Sequence, residues 1–159
     1  MNVIQPVAAF VITTTFLLPP SSRWGRGVQS GDACALLTQA QVSAALGVSV
    51  DPGKPLIATN PRVCGWAPPG GPRPDGKKVV VTLMTTKSFE TSKTPVQGIP
   101  KSPVSGVGDD ALYITTAGMG TGLNVKKGAS AFQVRVGGFK EQQEKDIEKA
   151  LAGQILAKM

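Results

Sequence analysis

Apolar side chains at Leu37, Val42, Ala45 and Leu46 recur at the spacing of one helix face. Thr38 with Gln41 three residues on forms a capping box, Leu37 with Val42 a hydrophobic staple, and Gly47 a left-handed stop. The pattern therefore predicts a short helix over Gln39–Leu46. Beyond it the period changes from helical to alternating. Residues 48–50 ("VSV") predict a strand leading into the turn "DPGKP", and residues 62–67 ("RVCGWA") a second strand. Residues 67–78 ("APPGGPRPDGKK") read as a loop ending in a hairpin-turn dipeptide, Asp75-Gly76. The run "KVVVTLMTT" is the strongest strand signal. Val79, Val81 and Leu83 share one face and Val80, Thr82 and Met84 the other, which suits an interior strand.

Residues 91–108 are rich in Pro, Ser, Lys and Gly and predict a long exposed crossing segment, with a short helical turn at 88–91 just before it. A strand follows at 109–116, then the loosening stretch "AGMGTG", then a hairpin over 123–136 with its turn at Lys127-Gly128. The last segment, "EQQEKDIEKALAGQILAKM", predicts a long amphipathic helix. Its apolar stripe is Ile147, Ala150, Leu151, Ile155 and Met159, with acids at its start and Lys158 at its end. Strands in groups between two helices predict an α+β fold. The expected form is an antiparallel sheet of about five to six strands, with the short N-terminal and long C-terminal helices packed on one face.

The apolar run "PVAAFVITTTFLL" is uncharged, ends at Pro19-Pro20 and is shorter than the ~20 residues of a membrane-spanning helix. It predicts that residues 1–30 are a signal peptide or N-terminal anchor. "VQS" before Gly31 offers small residues for cleavage, but "MNVIQ" lacks the basic residues of a usual leader. Residues 31–159 then form a single extracytoplasmic domain. Gly31, three positions before Cys34, stands where a lipidation site needs an aliphatic residue.

Cys34 and Cys64 are the only cysteines, and an even count in an exported chain reads as a disulfide. Two buried thiols are the alternative. A bridge over that loop would remove about 3.5 kcal/mol of unfolded-chain entropy in the simple loop model.

Composition narrows the function. The chain has 159 residues and no histidine, the commonest general base and metal ligand. Its formal charge is +7, but the basic residues are scattered, without the aromatic-interleaved stripe of a nucleic-acid binder. Two thiols without histidine do not complete a zinc site, and no cofactor is expected. A Ser-His nucleophile is ruled out, and Lys87 beside Ser88 lacks the S-x-x-K spacing. Asp109 and Asp110 are adjacent, so on a strand they would face opposite ways. "GVGDD" reads instead as a turn in which Asp109 accepts backbone N–H groups. "GMGTG" lacks the G-K-[ST] ending and the helix of a phosphate loop and reads as a hairpin loop. Trp66, two residues after Cys64, is expected to pack against the bridge. The alternative makes it the floor of a binding cleft, with Arg62, Arg73 and Tyr113 as polar partners.

The stretches "CALLTQAQVSAALG", "CGW", "GVGDDALY" and "LNVKKGASAFQVRV", in that order, resemble a broad group of exported bacterial proteins and lipoproteins of unknown function. In that group a C-x-L-L-T cysteine pairs with one in a C-x-W/Y strand, followed by a G-x-G-D-x-A turn and a V-x-K-G hairpin. The resemblance implies a small extracytoplasmic α+β domain without assigned catalytic residues. The expectation is thus a non-enzymatic binding or interaction module of the bacterial cell envelope. Its partner would be an unidentified protein or small ligand, and it would meet the membrane only through an uncleaved N-terminal segment. A secreted carboxylate-based hydrolase and an inhibitor-like protein remain the alternatives.

Overall fold

The computed structural model describes residues 31–71 and 76–159. The expected leader, residues 1–30, and Arg73 lie outside the described residues. A 3-10 turn (Ala33–Ala35) carries Cys34, and the Asp32 carboxylate accepts the Cys34 N–H at 2.8 Å. Helix α1 (Gln39–Leu46) has the predicted reciprocal capping box at Thr38 and Gln41 and ends at Gly47 with φ 64°. Leu37 and Val42 of the staple are both buried.

Seven antiparallel strands follow: β1 (Lys54–Ile57), β2 (Asn60–Trp66), β3 (Lys78–Met84), β4 (Lys101–Pro103), β5 (Asp110–Thr116), β6 (Gly120–Lys127) and β7 (Ser130–Gly137). Their order in the sheet is β1-β2-β3-β7-β6-β5-β4. Helix α2 (Thr86–Ser92) lies between β3 and β4, and helix α3 (Glu141–Leu156) closes the chain. The fold is α+β, as expected, with β3 in the interior of the sheet. The crossing segment does carry the chain from β3 to the sheet edge opposite β1.

The structure has more strands than the alternation predicted. β1 occupies what reads as the end of a turn, and β4 lies inside the crossing segment. Both are edge strands with mostly exposed side chains, so neither shows buried alternation. The expected strand at 48–50 is an extended connector instead. Its polar groups are met by helix side chains: Ser43 Oγ accepts the Val50 N–H and Gln39 Nε2 donates to the Val50 carbonyl.

Register assigns the two sheet faces. The inner face carries Cys64, Trp66, Val79, Val81, Phe132, Val134, Val136, Leu123 and Val125, all buried. Helices α1 and α3 cover it through Val42, Leu46, Leu151, Ala152 and Ile155. Ala150, expected in the α3 stripe, is exposed, and the buried side of α3 instead includes Glu144 and Glu148. The Cys34–Cys64 disulfide ties the start of the domain to β2 with 5.1 Å between Cα atoms.

Helix α2 sits on the other face, where Phe89 packs with Leu112 and Ala131. Lys93 pairs with Asp110, Lys126 with Glu90, and Asn124 Nδ2 donates to Ser92 Oγ. This cover reaches only part of the outer face, and the portion over β1, β2 and β3 carries no helix.

Candidate functional site

Among the described residues singled out in the sequence, Arg62, Trp66 and Tyr113 do not converge. Arg62 and Trp66 are four residues apart on β2, about 13 Å along an extended strand. The exposed Arg62 side chain donates from Nε to the Leu83 carbonyl at 3.3 Å. Trp66 is 2% exposed and shares the core with Cys64, while its indole lies over Gly53. Tyr113 stands on β5, four strands away, and donates its hydroxyl to the Lys145 carbonyl of α3 at 2.7 Å. Burial, with Glu148 and Asp146 nearby, pushes the Tyr113 phenol up to about 12. Tyr113 therefore works as a pin between sheet and helix.

The aspartate pair separates as strand alternation requires. Asp109 accepts the Gly128 N–H at 2.7 Å and the Lys127 ammonium at 2.8 Å. Those two contacts hold its carboxyl below the ordinary aspartate range, the Gly128 N–H contributing most. Asp110 turns the other way, to Lys93. "AGMGTG" forms the tight β5–β6 connection, with Thr116 opposite Gly120.

The structure brings out a carboxylate that hydrophobic periodicity passes over. Glu148 on α3 is fully buried; it accepts the Val136 N–H at 3.0 Å and the Thr121 hydroxyl at 3.3 Å. Burial raises its carboxyl to about 7, the Val136 and Thr121 contacts oppose that rise, and nearby Glu144 adds to it. The signal was in the spacing: 144, 148, 151 and 155 form one stripe of α3. Glu148 has no surface from which to meet a substrate. Among the described residues no three Cys, Asp or Glu side chains are grouped to hold a metal ion.

The outer face over β1, β2 and β3 holds a groove of about 350 Å³. Leu56, Gly65 and Val80 line it from the outer face, Trp66 and Val79 border it although their side chains are buried in the core, and Asp51, Lys54 and Lys78 are among the polar residues around it. Its shape follows from register. Lys54 stands opposite Gly65, and Gly65 opposite Val80, so β2 presents no side chain between two strands that do. Leu56 leans into that gap, its Cδ2 2.5 Å from where a Cβ on Gly65 would sit. Leu56 is nonetheless 53% exposed, and its neighbour Ile57 51%. A concavity at the low end of ligand-pocket size, apolar inside and charged at the border, is the arrangement that takes up an apolar group from water.

No family model, no curated protein and no solved structure matches this chain. The disulfide points to an oxidising compartment, and no described helix is long and apolar enough to cross a membrane.

Proposed function

We propose that the protein is a non-catalytic binding module of the bacterial cell envelope, acting outside the cytoplasm through the open outer face of its sheet. The observation that carries this is the apolar groove over Gly65, bordered by the half-exposed Leu56 and left uncovered by every described helix of the fold. The disulfide and the resemblance of the "CALLT" and "CGW" motifs to exported bacterial proteins support the location. The hydrolase alternative is weaker: the aspartates face apart, and Glu148 is sealed beneath α3.

Trp66 borders the groove and Trp24 is the only other tryptophan, so a Trp24→Phe chain reports on the site by fluorescence. Titration with monolaurin, a neutral single-chain amphiphile, is expected to shift Trp66 emission in a saturable way. Gly65→Val fills the gap and should weaken that binding at least about tenfold, with the far-ultraviolet spectrum unchanged. Equal binding by the Gly65→Val chain would contradict the assignment.

A further inference from the structure

We propose that the open face takes a single-chain phosphodiester lipid, its chain in the groove beside Leu56 and its phosphate at Arg135. This rests on the binding role above and names the class of ligand. A second concavity, of about 340 Å³, adjoins the groove, and Lys78 borders both. Arg135, Glu144, Met119 and the glycine backbone at 120 and 137 line it with Lys78.

Both cations lie low against the sheet because glycines make room for them. The Lys78 stem crosses Gly137, with Cε 3.1 Å from where a Cβ would sit. The Arg135 guanidinium lies over Gly122, with Nε 3.2 Å from the corresponding point. Arg135 Nε is buried and donates to no acceptor among the described residues. The guanidinium lines the concavity, and its planar fork suits a phosphate placed there.

Glu144 selects among anions. Its carboxylate lines the same concavity and accepts the Phe139 N–H at 3.3 Å. A bare fatty carboxylate brings only acceptors and would set them against Glu144. A phosphodiester whose head carries a hydroxyl or ammonium group satisfies Arg135 with its phosphate and Glu144 with its donor. Leu56 stands on β1 and Arg135 on β7, three strands along the sheet, so the ligand must bridge about 14 Å. An amphiphile with one chain does that; a free phosphate does not.

The test uses the full Trp24→Phe chain and four probes below their micelle-forming concentrations: lysophosphatidylglycerol, laurate, monolaurin and glycerol phosphate. Lysophosphatidylglycerol is expected to bind at least about tenfold more tightly than monolaurin or laurate, and glycerol phosphate weakly. Arg135→Gln should remove most of the lysophosphatidylglycerol advantage, Arg135→Lys should restore part of it, and monolaurin binding should stay unchanged in both. Glu144→Gln should narrow the gap between laurate and lysophosphatidylglycerol. Monolaurin binding as tightly as lysophosphatidylglycerol would overturn the headgroup claim and leave the groove standing. Laurate binding more tightly would make the ligand a fatty acid, and tight glycerol phosphate binding would make it a small anion; either overturns the proposal. No binding of any amphiphile overturns this proposal and the binding role together. The comparison of probes on the parent chain stands even if a variant fails to fold.

Discussion

Glu148 shows how one residue can be legible in position and illegible in role. Its spacing to Leu151 and Ile155 marks the inner stripe of α3, but a glutamate reads as solvent-facing until a partner is known. The partners come from β6 and β7 and cannot be read from local sequence. Thr38, Gln41 and Gly47, by contrast, were fully legible, because capping chemistry is local. The raised Glu148 carboxyl has a consequence for stability. The folded state holds the proton up to about pH 7, whereas the unfolded chain releases it near 4.5. The folded form therefore binds more protons between those values, and stability falls as pH rises through that window. Below it Glu148 contributes no pH dependence, and above it the full penalty of a buried charge remains. Glu148→Gln should flatten this fall, which is worth a few kcal/mol at most, since a tenfold change in proton affinity corresponds to about 1.4 kcal/mol. Urea unfolding at pH 4.5 and pH 8 checks it; an unchanged slope in the variant would assign the dependence to other groups.

At the scale of elements, legibility followed burial. β3, β7 and the second half of β2 alternate buried with half-buried positions and were read directly, and β5 was read from its buried Ala111 and Leu112 with the residues around them. β1 and β4 escaped because edge strands need no apolar face, and each carries a proline, Pro55 or Pro103. The start of β6 was hidden by Gly120 and Gly122, which pack beneath Glu144 and Arg135. The staple between the first turn and β2 was legible as a cysteine count, and its energetic role belongs to this scale. It joins the N-terminal 3-10 turn to the strand carrying Trp66, closing a loop with a sequence separation of 30. Replacing both cysteines by alanine should lower unfolding free energy by about 3.5 kcal/mol. Chemical denaturation would show this as a lower midpoint, and a loss under about 1 kcal/mol would mean that the bridge is not what holds the N-terminal segment.

For the whole molecule, the meanders β1-β2-β3 and β4-β5-β6-β7 pair strands that are consecutive in the chain, and only the antiparallel sheet itself was expected from the sequence. Which face α2 would cover did not follow. That choice rests on Phe89, buried against Leu112 and Ala131 of elements far apart in the chain, with the half-exposed pairs of Lys93 with Asp110 and Lys126 with Glu90 adding little. It decides function, because α2 shields the β5–β7 side of the outer face and leaves the groove over Gly65 open. The binding site is thus a product of the packing of α2 and of one missing side chain on β2. Of the predicted polar partners of Trp66, neither Arg62 nor Tyr113 takes part in it, and neither does the aspartate pair.

The most direct measurement is amide chemical-shift mapping by NMR on the full chain, with lysophosphatidylglycerol added below its micelle-forming concentration. The largest shifts are expected at Leu56, Gly65, Val80 and Arg135, saturating together, with α1 and the buried side of α3 unchanged. Saturating shifts centred on another surface, or none at these four residues, would contradict the account.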